Sequence, residues 1–166
     1  HQPVSVELNT LRSVAGEEGV IPTALQTIPD SAAQTGIPTL AELQAEFDAV
    51  YDKCRQAALV PKGRAGVDGQ LAGMLFAKLK FPPSPDEAAP ETNDPDANSE
   101  YTLARAKKHV SLGELEQAVE QLEQLSGQVG FTAKDWKQQA MDRISVDKAL
   151  RVIKMECALL NESMAE

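Results

Sequence analysis

An all-α fold is predicted by three observations on this chain. Apolar residues recur at helical spacing through 40–57, 103–125 and 136–160. No stretch alternates apolar and polar residues long enough to argue for a strand. Aromatics are scarce, at one Trp, two Tyr and four Phe, which suits an aliphatic helical core better than a sheet sandwich. The expected architecture is a small helical bundle of two helical hairpins over 99–166. Upstream helices occupy 1–81, and a disordered acidic, proline-rich linker over 82–98 separates the two parts.

The elements follow in chain order. Ser5 heads a short helix carrying Val6, Leu8, Leu11 and Val14, which Gly16 ends. Residues 16–38 are punctuated by Gly16, Gly19, Pro22, Pro29, Gly36 and Pro38, and read as loop with one helical turn around 23–27. Thr39 and Glu42 have the spacing of a capping box. The helix they open runs to about Leu59, short of Pro61, with Leu40, Leu43, Phe47, Val50, Cys54 and Ala57 in a/d register. That seam reads as one helix of a bundle, with a dimer seam or a peripheral membrane helix as the alternatives.

The helix over 67–81 is of a different kind. Leu71, Met74, Leu75, Phe76, Leu79 and Phe81 sit in a glycine-bearing frame, with Lys62 and Arg64 before it and Lys78 and Lys80 at its end. Large apolar residues flanked by cations suit a helix lying in a membrane interface. Each cation near an anionic surface contributes on the order of 1 kcal/mol. The other reading lets Leu71, Leu75 and Leu79 complete the core while the lysines are solvated, and residue types alone do not choose between them. The linker that follows carries five prolines and five acids among residues 82–98, with no base and no large aliphatic. Such a stretch buries too little apolar surface to offset its chain entropy.

The first hairpin pairs Leu103, Ala106 and Val110 with Leu115, Ala118, Val119, Leu122 and Leu125 across a Ser111-Leu112-Gly113-Glu114 turn that has capping-box spacing. The second part opens at Thr132 and carries Trp136, Ala140, Ile144, Leu150, Ile153, Cys157 and Leu160, interrupted by Asp147. Trp136 reads as a core anchor. Val129 and Phe131 fall in the expected loop between Gly127 and Asp135, where they either plug the bundle end or form a partner-docking patch.

Charge and chemistry narrow the function. A net charge of −9 argues against nucleic acid as the main partner. The chain is bipolar, because residues 53–80 hold six bases against one acid. Cys54 and Cys157 are far apart and outside any CxxC pattern, and read as two buried free thiols, with a disulfide between them as the alternative; His1 and His109 are the only histidines. That inventory leaves no soft-ligand zinc site. No phosphate-cradling glycine loop and no nucleophile elbow occur, and Glu114, Glu116, Glu120 and Glu123 read as a solvated surface. No catalytic residue, metal ligand or cofactor site is assigned, and catalysis is not expected. No apolar run approaches the ~18 residues a membrane span needs.

Ala104-Arg105-Ala106, Gly113-x-Leu115-x-x-Ala118-Val119, Leu125-Ser126-Gly127 and Asp135-Trp136 occur in this order. Together with "VELNTLRSVAG" and "GIPTLAELQAEFDAVYDKCRQAALVP" upstream, they resemble the C-terminal region of the mitofilin family, over nearly the whole chain apart from 82–98. The resemblance implies a membrane-shaping subunit of the MICOS complex of the mitochondrial inner membrane. It implies an anchor and a coiled coil outside this chain, exposure to the intermembrane space, and a lipid-binding segment ahead of the C-terminal domain. It also implies dimerisation and docking of a CHCH-domain MICOS subunit. On that basis Lys62, Arg64, Met74, Leu75, Phe76, Lys78, Leu79, Lys80 and Phe81 are expected to meet anionic phospholipid such as cardiolipin, and Val129 and Phe131 a protein partner. The alternative is a tetratricopeptide-like adaptor that binds proteins only, although no 34-residue self-similarity supports it.

Overall fold

A computed structural model describes residues 4–60, 66–91 and 98–165. Among them there are eight helices and no strand, so the all-α expectation holds. The helices are α1 (Ser5–Ala15), α2 (Val20–Gln26), α3 (Asp30–Thr35), α4 (Leu40–Ala58), α5 (Val67–Leu79), α6 (Ser99–Leu112), α7 (Leu115–Glu123) and α8 (Gly127–Ala165). They divide into two compact units, His1–Thr39 with Gln139–Glu166, and Leu40–Gln138. That division cuts across the linear one expected from composition, since the first and last stretches of the chain share a unit.

In the unit formed by the chain ends, Leu8, Leu25, Ile28, Ala32, Ala33, Val146 and Ala149 make one apolar core. The loop expected over 16–38 contains α2 and α3, which corrects that expectation. Its prolines sit where a helix tolerates them: Pro22 is the third residue of α2 and Pro29 stands immediately before α3. The first turn of a helix has no intrahelical use for those N–H groups, so proline there marks a start rather than a break. Polar ties complete the unit. The Ser31 hydroxyl donates to buried Asp142 at 2.9 Å, and the Arg143 guanidinium donates to the Pro38 carbonyl at 3.3 Å. Cys157 is exposed, so the expectation of two buried thiols fails for it; beyond Ile153 the last turns of α8 leave Met155, Leu159 and Leu160 exposed.

The second unit is built on α4, which buries Leu43, Phe47, Tyr51 and Cys54 within the chain. The a/d seam therefore serves the bundle, and the dimer-seam reading of it is not supported. α4 packs on α6, and α6 on α7, which buries Leu115, Ala118, Val119 and Leu122. Trp136 anchors the first part of α8: its ring lies 4.6 Å from that of Phe47, and its indole N–H donates to the Leu43 carbonyl at 2.9 Å. Burial pushes the Cys54 thiol up to about 11 and raises the Tyr51 hydroxyl as well.

Two local expectations are corrected here. Ser111 does not open a capping box, because α6 continues through it to Leu112 and its hydroxyl donates to the Lys108 carbonyl. The turn is made instead by Gly113 at φ +77°, with Gly113 N–H to Val110 O and Glu114 N–H to His109 O closing a Schellman motif. Thr132 is not a helix cap either, since α8 already begins at Gly127. Gly130 continues that helix, and a Cβ there would lie 2.6 Å from the Leu125 carbonyl oxygen. The residue allows close approach rather than breaking the helix.

The linker differs from expectation over its described part. Between 82 and 91, Glu87 N–H closes a turn on Ser84 O, Asp86 pairs with Lys108 at 2.5 Å, and Pro82, Pro83 and Pro85 line a cavity with Tyr51, Ala104 and Lys107. Disorder is not supported there, and residues 92–97 lie outside the described ones.

Candidate functional site

α5 inverts the usual rule for a packed helix. Its buried residues are Gly69 and Gly73, one turn apart, while Leu71, Met74, Leu75, Phe76 and Leu79 are exposed, as is Phe81 beyond its end. Leu75 keeps 57% of its surface and Leu79 69%. The glycines explain the orientation. α5 packs on α4, and a Cβ on Gly73 would stand 2.7 Å from the Gln56 carbonyl oxygen and 2.9 Å from Val60 Cγ2. Only a helix face without side chains allows backbones this close. With that face inward, the row Leu71, Leu75 and Leu79 is carried to the outside. Met74, also exposed, lines a cavity of about 410 Å³ with Ala57 and Val60 of the α4 end and Thr132 of α8.

The C-terminal turn of α5 is held by polar contacts. The buried Arg55 guanidinium donates to Ala77 O at 3.3 Å, to Lys80 O at 2.7 Å and to Glu100 Oε1 at 3.4 Å. Lys80 also pairs with Glu100. A cation at the last carbonyls of a helix satisfies orphan acceptors and complements its dipole.

The expected site residues fall into three groups. Met74, Leu75, Phe76, Lys78, Leu79 and Phe81 lie together on α5 or just after it and are exposed. Lys80 belongs to the same region but is bound to Glu100, so it is not an uncommitted cation. Lys62 and Arg64 lie outside the described residues. Val129 and Phe131, expected in a loop, are both on α8 and are separated by burial. Val129 is core, its carbonyl facing the Cys54 thiol at 3.7 Å, and Phe131 keeps 70% of its surface. Val129 is thus unavailable for docking.

Arg55 and Glu100 are residues that sequence reasoning missed as parts of this site. Arg55 is one more base in a basic stretch, and Glu100 opens α6 some forty-five positions later. The Gly69/Gly73 spacing is the available signal, because glycines four apart share one helix face and let a neighbouring backbone come close. No described helix is long and apolar enough to cross a membrane, and the described residues hold no group of three or more potential metal ligands.

Comparison with known proteins gives a consistent relationship. The chain is similar to MICOS complex subunit mic60 of Neurospora crassa, at 30% identity over 95% of the chain and 22% of the relative. It is similar also to MICOS complex subunit MIC60 of Pyrenophora tritici-repentis, at 31% over 95% and 23%. The corresponding figures for mic60 of Emericella nidulans are 27% over 95% and 24%. The chain therefore spans about a quarter of the length of the curated relatives it matches. No solved structure matches. The mitofilin family model, described as a mitochondrial inner membrane protein, matches residues 1–158. On that match the chain belongs to the mitofilin family.

Proposed function

We propose that this chain is a non-enzymatic scaffold module at the mitochondrial inner membrane, acting within the MICOS complex and laying α5 against anionic lipid to help shape the membrane at crista junctions. The observation that carries the reading is the inverted packing of α5. A thirteen-residue helix that buries two glycines and leaves its leucines and Phe76 outside presents an apolar face that the described residues leave exposed. Exposed Lys78 next to that face suits a phosphate-bearing surface, and a helix lying in the plane of the interface fits better than one crossing it. The MICOS membership named for the relatives supports the setting. Following the resemblance, the module faces the intermembrane space, forms dimers, and docks a CHCH-domain subunit, for which exposed Phe131 is the anchor on α8.

Co-sedimentation with liposomes of phosphatidylcholine and cardiolipin at 3:1 tests the reading, using the parent chain and Phe76→Glu/Lys78→Glu. Circular dichroism checks that both keep their helices. The parent is expected to sediment with these vesicles and not with phosphatidylcholine alone, and the double variant to lose at least tenfold in partitioning while remaining folded. A parent that ignores both vesicles overturns the lipid reading in favour of the protein-binding adaptor.

A further inference from the structure

We propose that Arg55 and Glu100 are positioning residues of the membrane-facing helix: their buried pair pins the C-terminal turn of α5 so that its glycine face stays inward and its apolar face outward. The inference rests on the lipid reading of α5 and adds what holds the helix in that orientation.

The physical need is plain from the packing. A helix ordinarily docks by burying its large apolar side chains, and α5 buries none of them. Gly69 and Gly73 allow close approach but bring little apolar area of their own, so the glycine face alone leaves α5 weakly held. The opposite arrangement, with Leu71, Leu75 and Leu79 turned onto the protein, buries far more. Something must favour the observed orientation, and the polar contacts at the helix end do so. The Arg55 fork reaches the Ala77 and Lys80 carbonyls, which fixes both the position and the rotation of the last turn. Two acceptors on one planar group define a direction as a single contact would not.

Glu100 makes the fork tenable. Arg55 and Glu100 side chains keep only 9% and 7% of their surface, and a guanidinium this buried needs a counter-charge. Glu100 comes from the first turn of α6, so the pin joins α4, the end of α5 and the start of α6. Glu100 also takes Lys80, which ties the residue after α5 to the same carboxylate. Removing Glu100 alone would leave the Arg55 charge buried without its counter-charge, whereas replacing both with apolar residues of similar volume removes the pin and spares the core.

The experiment pairs Arg55→Met/Glu100→Met with Arg55→Lys and reads two quantities. Amide hydrogen exchange over 76–81 reports the pin without lipid, and co-sedimentation with the 3:1 phosphatidylcholine–cardiolipin vesicles reports presentation of the face. In the double variant, exchange over 76–81 should accelerate at least tenfold while α6 and α7 stay protected, and vesicle partitioning should fall at least fivefold. Arg55→Lys keeps the charge but not the fork, and should give intermediate exchange and partitioning; it also stands alone as the test if the double variant does not fold. Unchanged exchange overturns the proposal. Accelerated exchange with partitioning unchanged or increased overturns it too, since the pair would then restrain the helix rather than present it. A parent that binds no vesicles removes the lipid reading, while the exchange data still decide whether the pair pins α5.

Discussion

α7 and α5 are short helices of the same unit, and they use their apolar residues in opposite ways. α7 spans nine residues and buries four, Leu115, Ala118, Val119 and Leu122, with Glu116, Glu120 and Glu123 outward. α5 spans thirteen and buries two, both glycines. The difference lies in distribution rather than in amount. In α7 the apolar residues share one stripe, so there is only one way to dock it. In α5 they surround most of the helix, and the inward face is selected by where the backbone can come closest. Apolar content therefore says how much a helix could bury, and the arrangement of small residues says what it does bury.

The comparison breaks most visibly under truncation. Leu122→Ala removes a side chain that is almost fully enclosed, and should cost about 2–5 kcal/mol. Leu75→Ala, on the outer row of α5, should stay within about 0.5 kcal/mol. Urea unfolding of the two variants measures both. A loss above about 2 kcal/mol at Leu75 would mean that the outer row packs after all.

The next effect concerns α4, the helix on which α5 packs. The Cys54 thiol is raised from 9.0 to about 11 by burial, so the folded state keeps its proton where the unfolded chain releases it. This contribution is fully present below pH 9 and disappears as pH rises through about 11, a loss on the order of 2–3 kcal/mol. Denaturant titrations across that window should show the fall, and Cys54→Ala should flatten the part that begins near pH 9. In the native protein a thiol reagent at neutral pH should modify Cys157 and leave Cys54 untouched until the chain unfolds.

Gly73→Ala should give the most local change. The added methyl meets the Gln56 carbonyl oxygen and Val60, and overpacking of this kind costs about 1–3 kcal/mol, confined to the docking of α5. Amide exchange should therefore quicken in α5 and hold in α7. Equal quickening in both would show that the two helices open as one cooperative body, and the contrast between them would lose its energetic meaning.

Much of this was legible in the sequence because the signals are local. The α4 seam, the α6–α7 pair with Gly113 at its turn, and Trp136 as anchor all follow from spacing within a few residues. The misses share two causes. Pro22 and Pro29 read as breaks although proline is tolerated at a helix start, and 127–135 reads as a loop although Gly130 admits the Leu125 carbonyl within a continuous helix. The contacts that distinguish α5 are distant in sequence: Arg55 meets Glu100 across forty-five positions, and no local pattern couples them. Whether the apolar face of α5 points inward is not legible along the chain for the same reason. Its answer depends on how near the α4 backbone comes to Gly73, which spacing along the chain does not contain.

The close contact at Gly73 also bears on how this helix can change. A helix seated through its backbone sets no shape requirement on its outward side chains. Leu71, Leu75 and Leu79 can exchange with other residues of similar polarity without disturbing the seat, whereas a single methyl at Gly73 disturbs it at once. Mutational tolerance in α5 thus runs opposite to that of an ordinary core helix, strict at its smallest residues and permissive at its largest. The surface it offers can be retuned while the fold beneath stays the same.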